Sequence, residues 1–496
     1  MGYPYFDDPS SSEGLHRRSL RGGAISVIAQ GVSVVVQVVS TIVLARILLP
    51  EDFGLVAMVS AVTGFASIFV DLGTRDAVAQ RGNVKEGEVS ALHWITLAIG
   101  LAFTLITALG SPLIARFYEE PRVEYIAIAL SSTFVLPALY FQQYALMRRA
   151  LMFQTLALID VGATLLATIV TIVLAYRGWG YWALVWKPVL TALFTALGVW
   201  FTCGWWPKRP TFTANVKELL GFGLNVTGFT LADYVARSVD RVALGYTAGP
   251  RQLGYYQNAF TVYDNALYVC FPLHNVATAT LSKLRDDMAA LRRAWSTALS
   301  SLTYFAAPAF AILAVAGQDL VVLLLGPKWQ SAGTILSVIA IRGPAHVVER
   351  TLGWLHITAG RPERWRNWGV LNCIATLVAL GCGLPFGALG VATAYAVLTS
   401  LLFIPALVYA GKPLGIRIGD ILRTVGPQVV TALGTAAVGF LVRHTLLQGA
   451  SPLVGLLALS TLCGALYLAT MTFVFRETRP LTLAASLLRK RKVSLD

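Results

Sequence analysis

Apolar stretches of about 20 residues follow one another along nearly the whole chain, each closed by a short polar or Gly/Pro-containing break. A helix of that length rises about 30 Å, the depth of a bilayer core, so the pattern predicts an all-α integral membrane protein. Fourteen transmembrane helices are expected, near 23–46, 54–72, 89–110, 123–141, 155–176, 181–202, 217–246, 255–280, 296–316, 332–357, 369–386, 388–410, 424–446 and 453–475. No connecting segment exceeds about 20 residues, which leaves no room for a soluble domain.

The polar residues inside these stretches are spaced by threes and fours, and so fall on single helix faces. The first span carries Ser26, Gln30, Ser33, Gln37 and Ser40; the second carries Ser60, Thr63, Ser67 and Asp71. The seventh carries Thr230, Asp233, Arg237, Asp240 and Arg241, and the eighth Gln257, Thr261, Asp264 and Tyr268. In the tenth, Arg342, His346, Glu349 and Arg350 share a face, and Gly343-Pro344 predicts a kink or break. A charge at mid-bilayer costs about 2.5–3.5 kcal/mol on insertion scales, so four facing lipid would cost on the order of 10 kcal/mol. These faces therefore line a wet cavity or pair among themselves, as Asp233 and Arg237 can at i, i+4. Asp160 and Lys187, in the fifth and sixth spans, are placed to pair with each other.

Two of the breaks resemble each other at a distance of two hundred positions. Leu44, Pro50 and Gly54 in the first recur as Leu244, Pro250 and Gly254 in the second. A weaker echo links Phe117–Arg122 with Leu323–Lys328. Duplicated halves in an apolar chain point to a transporter, because substrate sites form where repeats meet. The four spans flanking the repeated breaks are the ones with polar stripes, which predicts four helices around one cavity.

Composition agrees, with 56% hydrophobic and 13% charged residues and a mean hydropathy of +0.66. The net charge of +14 is one-sided: with residue 1 inside, 27 Lys/Arg fall on inside segments and six on outside loops. That asymmetry predicts cytoplasmic termini. The basic run Arg489–Lys492 then reads as an anchor at anionic headgroups, and no nucleic-acid partner is expected. Residues 1–22 form a polar tail, and the first span lacks a clear cleavage site, so it is expected to be retained. The five cysteines are scattered and read as small core residues, with no disulfide framework or metal spacing.

Catalytic motifs do not appear. There is no phosphate loop, no H-E-x-x-H, no paired C-x-x-C and no G-x-S-x-G. The acidic pair Glu51-Asp52 is the single foothold for a membrane glycosyltransferase, and after Pro50 it reads as turn chemistry. No enzyme, metal or cofactor is expected.

The string Leu44-Ala45-Arg46-Ile47-Leu48-Leu49-Pro50-Glu51-Asp52-Phe53-Gly54-Leu55-Val56-Ala57-Met58 resembles the first-loop signature of bacterial polysaccharide flippases, in the branch that includes the colanic acid exporter. Pro112–Tyr118, Asp240-Arg241 followed by Leu253–Tyr256, and Phe271-Pro272 with Leu281–Leu284 are similar to that family as well. Gly249-Pro250-Arg251 and His274 depart from it.

The resemblance implies two pseudo-symmetric six-helix bundles in a V around a central cavity, with two further C-terminal helices. On this sequence those are an N-lobe at 23–211, a C-lobe at 212–410, appended helices at 411–475 and a basic tail at 476–496. It implies an inner-membrane flippase that moves polyprenyl-pyrophosphate-linked oligosaccharide to the periplasmic leaflet by alternating access, working with a polysaccharide polymerase and export machinery. Arg237 and Arg241 would then meet the pyrophosphate, while Gln30, Gln37, Gln257 and Asp264 face sugar hydroxyls and Arg342 lines the cavity. Without an ATPase, energy comes from a proton or sodium gradient or from removal of the product, and Asp233, Asp264 and His346 are candidate ion carriers. The alternatives are a lipid II flippase, a multidrug/cation antiporter of the same superfamily, or an integral glycosyltransferase or polymerase.

Overall fold

The computed structural model describes residues 15–80, 84–211, 214–268, 287–358 and 362–477. Phe271-Pro272, His274, Leu281–Leu284, residues 1–14 and the Arg489–Lys492 run lie outside these residues. Among the described residues every regular element is helical. Ten helices are long and apolar enough to cross a membrane, or eleven with the pair Pro327–Ala340 and Gly343–Glu349 counted as one bent span. The chain is a multi-pass membrane protein, and this set is compatible with fourteen crossings. Their outward faces are greasy: Leu109 is 81% exposed and Phe201 84%, as lipid-facing positions should be.

Contacts divide the chain into two compact units, Met1–Gly254 and Tyr255–Asp496. The first contains α1 (Leu15–Ile47), α2 (Pro50–Asp71), α3 (Thr74–Gln80), α4 (Glu86–Tyr118), α5 (Arg122–Ala138), α6 (Phe141–Arg149), α7 (Phe153–Tyr176) and α8 (Tyr181–Cys203). It also takes α9 (Ala214–Tyr268) as far as Gly254. Here α4 pairs with α5, α7 with α8 and with α1, and α5 also packs on α2 and α8.

The second unit contains α10 (Met288–Leu325), α11 (Gln330–Ala340), α12 (Gly343–Glu349), α13 (Leu352–Thr358), α14 (Pro362–Gly383), α15 (Gly387–Gly411), α16 (Ile418–Thr445) and α17 (Pro452–Ala469). Its spine is α10, against which α11, α12, α16 and α17 all pack. The bend between α11 and α12 is 55° and falls where Gly343-Pro344 predicts it.

Sequence chemistry sets the helix starts. Pro50 opens α2 at its first position, where a missing N–H removes nothing. Asp52 accepts the Leu49 N–H at 2.8 Å and so serves the turn, whereas the Glu51 carboxylate pairs with Arg122. Glu88 and Asp420 cap α4 and α16 in the same way, at 3.1 and 3.0 Å. Asp287 receives the N–H groups of Ala289 and Ala290 at the start of α10. In the second copy of the repeated break the helix is interrupted at Gly249 (φ 76°, ψ 176°), a conformation open to glycine, and restarts at once with Pro250.

Two readings of the sequence need correction. Asp160 accepts from the Tyr144 hydroxyl at 2.8 Å, and Lys187 donates to Ser40 Oγ at 2.7 Å, so the two charges have separate partners. A hydroxyl sits close enough to each to satisfy it locally. Cys203 and Cys463 are buried as expected, but Cys373 and Cys382 face outward. A thiol is apolar enough to sit among lipid-facing side chains.

Candidate functional site

The two repeated breaks cross in close contact within the first unit. A Cβ on Gly54 would overlap the carbonyl oxygen of Pro250, and one on Gly254 would overlap that of Pro50. Each glycine thus presents its α-hydrogen to the other copy's proline carbonyl, the geometry of a Cα–H···O contact between closely crossing helices. Gly245 is similarly close to Tyr118 and Met58, and the Tyr118 hydroxyl donates to the Met58 carbonyl at 3.3 Å. Leu44 and Leu244, the first members of the two copies, are both fully buried. Glu51 and Glu120 hold Arg122 beside this crossing, Glu120 at 2.8 Å. Those bonds keep the Glu120 carboxyl below the ordinary glutamate range.

The polar stripes of the first unit are partly structural. In α1, Gln30 and Gln37 are exposed, whereas Ser40 is buried with Lys187 as its donor. In α2, Thr63 bonds back to Val59, and Tyr234 donates to the carbonyls of Ser60 and Ala61 at 3.0 and 3.1 Å. Asp71 closes an i, i+4 pair with Arg75 at 2.7 Å, whose guanidinium lies 4.3 Å from the Phe141 ring centre. Asp240 is buried and accepts the Arg241 N–H at 2.8 Å; the Arg241 side chain is half-buried. Asp233 and Arg237 lie on α9, but their side chains are outside the described residues.

The second unit builds a cationic site around its helix break. Arg342 ends the α11 side of the bend, and its guanidinium carbon lies 5.2, 5.7 and 5.9 Å from the ring centres of Tyr263, Phe260 and Tyr395. Its Nε donates to the Tyr263 hydroxyl at 3.4 Å. His346, one turn on, shares that hydroxyl through Nδ1 at 2.9 Å, with its ring stacked on Tyr263 at 13°. Among the described residues no carboxylate lies within ion-pair distance of Arg342. Aromatic faces hold the cation instead. Glu349, on the same helix face, accepts from Asn372 at 3.5 Å. Gln257 reaches Thr261 at 3.5 Å, Asp264 is half-buried, and Arg350 is exposed. The structure therefore brings Arg342 and His346 together through Tyr263.

Sequence reasoning missed the aromatic wall. Tyr256, Phe260 and Tyr263 are spaced by four and three, one position before the polar stripe Gln257, Thr261 and Asp264. An apolar stripe beside a polar one reads as ordinary core, and that hid its role as the cation's partner.

The chain is thus a multi-pass helical membrane protein with a cation held among aromatic rings at a broken span. The fold is that of the lipid II flippase MurJ in its inward closed conformation: the TM-score is 0.71 over 92% of this chain and 99% of that one, at 14% identity. Residues 43–333 match the family described as polysaccharide biosynthesis protein, and the chain belongs to that family. It is 25% identical to the lipopolysaccharide biosynthesis protein WzxC of Escherichia coli K12, over 76% of this chain and 77% of the relative. It is 23% identical to the teichuronic acid biosynthesis protein TuaB of Bacillus subtilis, over 87% and 89%. It is also 23% identical to the succinoglycan biosynthesis transport protein ExoT of Rhizobium meliloti, over 70% of each.

Proposed function

We propose that this chain is a flippase for lipid-linked oligosaccharide repeat units, a transporter and not an enzyme. The observation that carries the reading is membership of the polysaccharide biosynthesis family on a flippase fold. Relatives named for lipopolysaccharide, teichuronic acid and succinoglycan support a polysaccharide precursor as the cargo. In this reading the substrate hangs from a polyprenyl pyrophosphate, and the chain moves it outward across the bacterial inner membrane by alternating access. Both termini lie in the cytoplasm, where the basic segments concentrate.

Within that reading Arg237, Arg241 and Arg342 attract the pyrophosphate, since guanidinium forks match phosphate oxygens. Gln30, Gln37 and Gln257 offer amides to sugar hydroxyls. Asp233, Asp264 and His346 are the groups through which a proton or sodium gradient would drive the cycle. A polymerase consuming the delivered unit is the partner this chemistry needs.

The test is the leaflet distribution of lipid-linked oligosaccharide in cells depleted of this chain. Accumulation of intact units on the cytoplasmic side, with growth preserved, is expected. Normal arrival at the outer leaflet would refute the reading, and arrested growth with accumulated lipid II would replace it with lipid II transport.

A further inference from the structure

A second cluster of nitrogen donors lies apart from the Arg342 site, where α13, the start of α14 and the end of α15 pack together. At its centre is the Tyr409 ring. His356 lies 5.9 Å from it, Trp368 stacks on it at 5.6 Å, and the Arg364 guanidinium carbon sits 4.1 Å above its centre. Arg364 also donates through Nη2 to the Tyr409 carbonyl at 2.6 Å.

Four buried nitrogens around this ring have no hydrogen-bond partner: both ring nitrogens of His356, Nε of Arg364 and Nε1 of Trp368. His356 is 1% exposed and Trp368 7%. Arginine and tryptophan side chains can only donate, and a histidine ring always carries at least one N–H. Buried polar groups are nearly always satisfied, so four on one ring mark an arrangement awaiting an acceptor. Among the described residues no carboxylate lies within ion-pair distance of Arg364. Trp365, 40% exposed, lies 5.4 Å from the His356 ring and rests over Gly353, at the exposed side of the cluster.

We propose that His356, Arg364 and Trp368 form a binding site for a phosphate-bearing lipid headgroup at the membrane surface. Several convergent N–H donors and one guanidinium fit phosphate oxygens, which accept and do not donate. Position favours a lipid-borne phosphate: the site sits at the ends of two membrane-crossing helices, mixing Trp, Tyr and Arg as bilayer interfaces do. The site does not depend on the flippase reading. The phosphate belongs to an ordinary anionic phospholipid or to the pyrophosphate of a polyprenyl carrier, and the two are separable.

The experiment is native mass spectrometry of the purified full chain with phosphatidylglycerol, diacylglycerol of the same acyl chains, undecaprenyl pyrophosphate, or inorganic phosphate as competitor. Phosphatidylglycerol should be retained about 10-fold over diacylglycerol, and R364Q should remove most of that preference. W368F deletes one N–H while keeping a ring, and should lower retention severalfold while the lipid-free protein still unfolds cooperatively, a few degrees lower at most. That variant decides the matter if R364Q does not fold. Stronger retention of undecaprenyl pyrophosphate than of phosphatidylglycerol assigns the site to the carrier; equal retention assigns it to bulk phospholipid. Unchanged retention in folded R364Q and W368F overturns the proposal.

Discussion

Replacing Gly54 by alanine puts a methyl group where the Pro250 carbonyl oxygen already is. Neither group is the loose end of a flexible side chain: the carbonyl belongs to backbone and the methyl is fixed directly to it, so the helices must part by most of a bond length. Inserting one carbon into a packed interior typically costs about 1–3 kcal/mol, and at a backbone–backbone crossing the upper end applies. The same substitution at Gly162, in α7, meets nothing within 4 Å. There it gains the helix preference of alanine over glycine, up to about 1 kcal/mol. One chemical change therefore has opposite signs at two sites. Thermal unfolding of the purified protein should place Gly54→Ala several degrees below wild type and Gly162→Ala at or above it. Polysaccharide export, measured at matched membrane levels, should fall in the first variant only. Gly54→Ala and Gly254→Ala share one contact, so the double variant should lose less than the two losses added together. If Gly54→Ala melts with Gly162→Ala and exports normally, the crossing is not the constraint described here.

Arg342→Gln should depress export several-fold at equal protein level, and Arg342→Lys should not rescue it, because an ammonium lacks the planar surface that lies over three rings; full export by the lysine variant would dismiss the aromatic support. Asp319 is nearly buried and accepts from Arg443 at 2.7 Å, so Asp319→Leu alone should destabilise by about 3–5 kcal/mol, and Asp319→Leu with Arg443→Leu by much less, as read by thermal unfolding. Asp160→Asn and Lys187→Met should combine additively to within about 0.5 kcal/mol, since their partners are Tyr144 and Ser40; strong coupling would restore the direct pair. Glu120 titrates below an ordinary glutamate because Arg122 bonds to it, so its contribution is complete above the ordinary value and disappears as pH falls through the lowered one. Arg122→Gln should therefore be less stable than wild type near neutrality, by at most about 1 kcal/mol for so exposed a pair, with the gap closing in strong acid.

Hydropathy located the membrane helices because burial in lipid is an averaged property that a window of twenty residues captures. It also placed the break at Gly343-Pro344 and the turn role of Asp52, where one residue type has one conformational consequence. Length was less legible. The stretch 296–316 belongs to a helix running from Met288 to Leu325, whose polar first turns fall below any apolar threshold. The short amphipathic helices α3 and α6, which pack on each other, escaped for the same reason. Partner choice was least legible. Lys187 finds Ser40 at a sequence distance of 147, and Arg342 finds rings on another helix, so both depend on packing that no local spacing encodes.

The length of α10 has a mechanical implication. At 1.5 Å per residue its 38 residues extend about 57 Å, against a bilayer core of about 30 Å. Even with a tilt of about 20°, roughly two fifths of the rod stands clear of the hydrocarbon. Its first turns carry Arg292, bonded to Asp420 at the foot of α16, while near its far end Asp319 holds Arg443 of the same helix. The two helices are thus pinned at both ends like rails joined by cross-ties. Between the two ties lies Pro308, which removes one rung of the helix's hydrogen-bond ladder, so any bending of α10 is confined to the stretch between its fixed ends.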